Sequence, residues 1–388
     1  MDLPKLTAGE IEAAGAYWTA REIAQQPQLW PQIAQLISQD SALAGFLAQW
    51  EADARPRVVL TGAGTSSFIG KCLVPSLARR GGWPRAEAIA TTDIVASPGS
   101  YLARHVPTLM VHFARSGNSP ESVAAMDLAE QGIDRCYHLV VTCNGQGALF
   151  RRAGAMRRAH AVLLPAASND QSFAMTSSFT GMLLAAAAAL QVLPADDASI
   201  ARLAGAGTHV LDSCVPLLRS LVQTRFERVV YLGSNELKGL AREAALKMLE
   251  LTDGRVIAIA DSQLGFRHGP KTILNGSTLV VAFLSNDAHA RCYERDLLAE
   301  LRRDAIAGRV IAVAGREDGG GHADTLVLGE DTAALTDLEL CLPYAVFAQT
   351  LALLRSLSLG LTPDNPNAAG AVNRVVQGVS IYPYGSAQ

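Results

Sequence analysis

The chain has 388 residues, enough for two or three domains of ordinary size with real cores. Hydrophobic residues make up 49% and charged residues 18%, with 33 basic against 36 acidic side chains and a formal charge of −3. That balance excludes a disordered chain, and it offers neither a basic face for nucleic acid nor a membrane-binding patch.

Met1 to Glu10 has no basic stretch leading into an apolar run, so it does not read as a secretory signal, and a cytoplasmic protein is expected. The six cysteines (Cys72, Cys136, Cys143, Cys214, Cys292 and Cys341) show no C-x-x-C spacing and read as reduced thiols in apolar surroundings. The histidines form no H-x-x-x-H or H-E-x-x-H pair, so neither a metal nor another cofactor is expected.

Residues 1–50 read as a helical preface. Thr19-Ala-Arg-Glu22 fits a capping box with Thr19 as N-cap and Glu22 at N3, and Pro27 ends or bends that helix. Arg57 to Gly62 is then a β-branched run closed by glycine, and Arg228 to Gly233 nearly repeats it, 228 − 57 = 171 residues on. Thr108 to Phe113 recurs as Thr278 to Phe283, at 278 − 108 = 170, and His138 to Cys143 has its counterpart in Arg309 to Ala314. A constant offset over three strand-like runs argues for two copies of one unit. The runs are continuous rather than alternating. Helical patterns such as Ile69 to Arg79 and Pro120 to Glu130 separate them. That is the signature of parallel strands buried on both faces. The expected fold is α/β: two tandem parallel-sheet sandwiches of three layers, α/β/α, behind a helical N-terminal segment. The expected boundaries are 1–50, 51–200 and 201–388, with a linker near Pro194 to Ala198. Met182 to Leu193 is apolar but too short to span a bilayer, and reads as a buried helix.

Ligands of such sheets bind at the carboxyl ends of the strands. Thr61-Gly-Ala-Gly-Thr-Ser-Ser67 occupies one such end and opens a helix, with two glycines for close approach and three hydroxyls for an anion. It is neither a dinucleotide fingerprint, since Ser67 replaces the third glycine, nor a phosphate loop of the Walker type. The next strand ends in Ala114-Arg-Ser-Gly-Asn-Ser-Pro120, with Ser119 placed as N-cap and Pro120 as N1. Two hydroxyl-rich loops on neighbouring strands suit a phosphate on a small polar molecule. Arg115 either adds a charge-assisted contact or faces solvent. The matching second-copy loops, Gly233 to Lys238 and Leu284 to Asp287, carry acidic residues instead.

In the second copy, Lys247 and Glu250 lie three apart on a helix and share a face. Spacing alone also fits an ordinary surface ion pair. His268 stands in a turn, in Arg267-His-Gly-Pro270.

Taken together, tandem copies with G-T-S-S, S-G-N-S, A-L-K-x-x-E and R-H-G-P resemble the sugar isomerase (SIS) domain family. Thr19 to Trp30 and Val372 to Tyr382 resemble its AgaS branch, which is related to the isomerase half of glucosamine-6-phosphate synthase. The resemblance covers nearly the whole chain. It implies that Thr65, Ser66, Ser116 and Ser119 bind a sugar 6-phosphate in the first copy. Glu250 would then move a proton between C1 and C2, assisted by Lys247, and His268 would open the sugar ring from a neighbouring subunit. Asp170, in Asp170-Gln-Ser-Phe-Ala-Met-Thr176, would lie on a stretch lining the sugar.

Two departures stand out. Gln377 falls where the synthase uses a lysine, and Ala114 and Arg115 replace a hydroxyl and an amide. About fifty residues precede the first copy and Asp2 stands where a nucleophilic cysteine would be needed, so glutamine is not the expected nitrogen source. The implied activity is an aldose–ketose isomerase and deaminase of amino-sugar 6-phosphates, from galactosamine 6-phosphate to tagatose 6-phosphate and ammonia. The alternatives are a sugar-phosphate-binding regulator without turnover and a glucosamine-6-phosphate deaminase. A homodimer or higher homo-oligomer with shared active sites is expected.

Overall fold

The three pairs of apolar runs become strands at matching places in two sheets. The computed structural model describes residues 8–52, 57–80, 85–317, 324–367, 369–376 and 378–385. The first sheet holds β1 (Arg57–Thr61), β2 (Ala86–Ala88), β3 (Thr108–Ala114), β4 (Cys136–Thr142) and β5 (Ala159–Leu163), in the order β2-β1-β3-β4-β5. The second holds β6 (Arg228–Leu232), β7 (Ile257–Asp261), β8 (Thr278–Leu284), β9 (Arg309–Ala314) and β10 (Thr325–Val327), in the order β10-β9-β8-β6-β7. Read from its other edge this is the same order, and all pairings are parallel. All seven residues of β3, β4 and β8 are buried. Since successive side chains point to opposite faces, helices must cover both sides, and each unit is an α/β/α sandwich.

The strand order explains where each ligand end lies. The chain leaves β1 for one side of the sheet and reaches β3 on the other, so the reversal falls between their carboxyl ends. Thr61 pairs with His112 there. The equivalent reversal in the second sheet lies between β6 and β8.

The chain forms two compact units. One gathers Gln32–Asn169, Ser177–Ala195 and Gly370–Gln388 around the first sheet; the other gathers Met1–Pro31, Asp170–Thr176 and Asp196–Ala369 around the second. The helix Ser177–Ala189 is buried along nearly its whole length, as its apolar sequence predicts. Among the described residues one helix, Asp337–Ser358, is long and apolar enough to cross a membrane, and 94% of its apolar window is buried.

The capping box at Thr19 and Glu22 is not formed. The helix there is Tyr17–Ala24, with Ala16 as N-cap and Thr19 inside it. Asp364 does the capping from a distance, accepting from Trp18 N–H at 3.0 Å and from Thr19 N–H and Oγ1 at 2.7 Å. Glu22 is freed to turn inward. The helix does end ahead of Pro27, which falls in the first turn of the next helix, Gln26–Gln39, where its missing N–H is harmless. A true capping box stands at Thr336 and Glu339, opening the long helix.

Candidate functional site

In the first-sheet unit, the loop after β1 is shaped by its glycines. A Cβ on Gly62 would come within 2.7 Å of the Ser66 carbonyl carbon, so only glycine fits. Gly64 takes φ 54 and ψ −127 and caps the helix Thr65–Arg79 without a side chain. Thr65, Ser66 and Ser67 are buried in its first turn. Ser67 spends its hydroxyl on Gly64 O at 2.8 Å. Thr65 Oγ1 is buried without a protein partner, and so are Thr61 Oγ1 and Thr91 Oγ1. Thr91 is brought alongside by its N–H, which donates to Gly62 O at 2.9 Å. Buried hydroxyls are normally paired. Three unpaired ones around one helix start leave donors for an incoming acceptor. Sequence reading missed Thr91, because it opens the helix Thr91–Ala96 that follows a short edge strand.

The loop after β3 is pinned rather than open. Gly117 has φ +66, and Asn144 Nδ2 donates to Ser116 O at 2.8 Å. Asn118 Oδ1 accepts from Ala148 N–H at 2.9 Å, so this amide serves the loop's own structure. Ser119 is the N-cap of Pro120–Gly132 by position, with Pro120 at N1, but its hydroxyl donates to Ser122 Oγ at 2.7 Å instead of capping. Ser116 Oγ accepts from Asn118 N–H at 3.3 Å. Arg115 does not face solvent: it is buried and donates from Nη2 to Arg374 O at 2.7 Å. Gln377 lies outside the described residues.

In the second-sheet unit, Lys247 and Glu250 lie on the helix Glu236–Leu251. They are not a surface pair. Lys247 is fully buried; its ammonium touches Glu250 Oε2 and lies 3.5 Å from Glu243 Oε1. Glu250 keeps 25% of its side chain exposed, while Leu249 beside it points outward. A helix that buries lysine and exposes leucine is arranged for something other than stability. His268 is exposed, in the turn after Gln263–Phe266. Arg267 and Lys271 anchor that turn to Glu300 and Asp304 on the helix Ala288–Asp304.

Asp170 is buried in the same unit and closes its loop by accepting from Thr176 N–H at 2.8 Å. Glu22 holds the same loop, accepting from Ser172 N–H at 3.2 Å and also from Gln171 N–H and Ser172 Oγ. Burial and then the Asp170 carboxylate push Glu22 up to about 7. The clue in the sequence was that Thr19, Glu22 and Ile23 share one face of that helix, all buried.

The second copy's switch point holds the chain's own acids. Asn235 repeats the Gly64 conformation, with φ 50 and ψ −121, and Glu236 replaces Thr65. Glu294 accepts from Ser285 N–H at 2.8 Å, and burial pushes it up to about 7. Asp337 accepts from Ser285 Oγ at 2.5 Å and from Asn286 N–H at 2.7 Å.

Glu130, Cys136 and His138 bring possible metal-binding atoms within 4.8 Å of one another in the first-sheet unit. Both His138 nitrogens are engaged, by His112 and Glu130 at 3.0 Å each, and burial pushes the Cys136 thiol up, against the thiolate a metal needs. Five cysteines are buried and Cys292 is exposed.

No family model matches the chain. An AgaS protein of Streptomyces coelicolor is 49% identical over 371 residues, 95% of this chain and 96% of that one. The D-galactosamine-6-phosphate deaminase AgaS of Shewanella sp. ANA-3 is 41% identical over 98% of this chain and 95% of its own. The crystal structure of tagatose-6-phosphate ketose/aldose isomerase from Escherichia coli matches with a TM-score of 0.88 and 41% identity, over 95% of this chain and 97% of that one.

Proposed function

We infer the activity from one premise: the chain belongs to the AgaS family of proteins built from sugar isomerase domains. It is a sugar-phosphate isomerase and deaminase that converts galactosamine 6-phosphate and water to tagatose 6-phosphate and ammonia. The observation that carries this reading is the buried Lys247 that grips a partly exposed Glu250. A sensor that only binds sugar phosphate has no use for a carboxylate held in that way.

Thr65, Ser66, Ser116 and Ser119 hold the 6-phosphate, with the unpaired Thr65 hydroxyl as a donor awaiting it. Arg115 sets the second loop. His268, from a neighbouring subunit, opens the ring to the aldehyde. Glu250 takes the C2 proton while the C1 oxygen gains one, giving an enolamine. The proton returns to C1, leaving a C2 imine that water hydrolyses to the ketone and ammonia. General base catalysis of this kind contributes roughly 10²–10⁴-fold. Lys247 orients Glu250 and steadies charge on the substrate oxygen. Fixing the remote phosphate supplies the binding energy that holds C2 in place. Asp170 belongs to the sugar's surroundings. The first copy carries phosphate binding and the second the base. The enzyme works in the cytoplasm as a homodimer or larger homo-oligomer, without nucleic acid or membrane.

The test incubates the protein with galactosamine 6-phosphate, and separately with glucosamine 6-phosphate, and measures ammonia and ketose phosphate. The galacto sugar is the expected substrate, with Glu250→Gln at least about a hundredfold slower. Tight binding without product, in wild type and variant alike, would make the protein a sensor.

A further inference from the structure

Glu22 is a buried acid that the proton transfer does not use. It is only 3% exposed, on the helix Tyr17–Ala24. Burying a charge is costly unless its lone pairs are met. Here donors from one loop meet them: Gln171 N–H, Ser172 N–H and Ser172 Oγ, some 150 residues away. A carboxylate accepts and never donates, so it suits a site made of donors. The loop is held elsewhere too. Thr176 N–H and Oγ1 donate to Asp170, at 2.8 and 3.2 Å, and Phe173 N–H donates to Asp364 O at 3.1 Å.

We propose that Glu22 is a positioning residue: its ionised carboxylate gathers the Gln171 and Ser172 donors and so fixes the Asp170–Thr176 loop for the sugar. This rests on the reading of that loop as the sugar-lining one. Charge decides whether the clamp holds. Burial, and then Asp170, raise the Glu22 pKa to about 7, so both forms are populated near neutrality. A protonated carboxyl sets an O–H among donors and gives up part of its grip. The charge facing Glu22 from the loop is Asp170. From the long helix the neutral Gln349 reaches the loop, donating to Thr176 O at 3.4 Å, and the Asp364 carboxylate is taken up by Trp18 and Thr19.

Two measurements on the full chain decide the matter. The first is amide exchange at Gln171 and Ser172, corrected for intrinsic rates. Wild-type protection should fall roughly tenfold between pH 8 and pH 6, while Glu22→Gln is poorly protected at both. The second is kinetics with galactosamine 6-phosphate. Glu22→Gln should raise KM on the order of tenfold, change kcat less, and remove an acidic limb near pH 7. Ser172→Ala, which keeps the Glu22 carboxylate and its two backbone donors, should move that limb to higher pH, because it removes a hydrogen bond that favours the ionised form. Equal protection in wild type and Glu22→Gln at both pH values would overturn the proposal. So would a variant that only melts earlier, with KM and pH profile unchanged. A wild type inactive on this sugar would sink the activity reading instead, and the exchange measurement would still judge the clamp.

Discussion

Thr65 shows how one atom can separate stability from binding. Its hydroxyl is buried at a helix start and meets no protein acceptor or donor. In the free protein that costs about 1–3 kcal/mol, the usual penalty for a buried unpaired polar group. A bound phosphate removes the penalty. Thr65→Val keeps the shape and discards the hydroxyl. The expected outcome is a melting temperature equal to or above wild type, together with a roughly tenfold higher KM for the sugar phosphate. Calorimetry and steady-state kinetics on the same preparation check it. A variant that loses stability and keeps its KM would place the phosphate elsewhere.

At the scale of the element, the two copies offer a matched pair of helix starts. Gly64 and Asn235 hold nearly the same backbone conformation, at φ 54 and φ 50, a region that side chains rarely tolerate. A Cβ on Gly64 would meet nothing within 4 Å, so any cost there is purely torsional. Gly64→Ala should destabilise by about 1–3 kcal/mol, and Asn235→Gly should stabilise by about 1 kcal/mol through relief of the same strain. Chemical denaturation of both variants tests this, and equal signs would refute it. The repeat was legible because inner parallel strands must be apolar throughout, and all six such runs became strands. The edge strands Ala86–Ala88 and Thr325–Val327 are short and only partly buried, so no apolar run announces them. Thr19 and Glu22 misled for another reason. Thr-x-x-Glu looks the same whether its threonine caps a helix or lies within one, and the real cap, Asp364, is 345 residues away. Lys247 was readable as a candidate, but its burial was not. Which face of a helix turns inward is settled by long-range packing, and here Leu249 lost that place to a lysine.

Across the whole molecule the duplication has produced units that respond oppositely to acid. In the first-sheet unit, burial lowers the pKa of His112 and His138 below the usual 6.5. As the pH falls below 6.5 the unfolded chain takes up protons that the folded histidines refuse, so stability is lost. In the second-sheet unit, Glu294 is raised from the usual 4.5 to about 7. Between pH 7 and 4.5 the folded state binds the extra proton, so stability is gained as the pH falls. Each such group changes stability by up to about 1.4 kcal/mol per pH unit. Asp134, Asp196, Glu300 and Asp304 are held below the usual carboxylate range and act only in more acidic solution. Segment-resolved amide exchange should therefore show protection of β3 and β4 falling from pH 7 to 5 while that of β8 rises, after correction for intrinsic rates. Glu294→Gln should abolish part of the rise in β8 and leave β3 and β4 unchanged. Protection that moves in the same direction in both sheets would mean that the two units do not titrate separately.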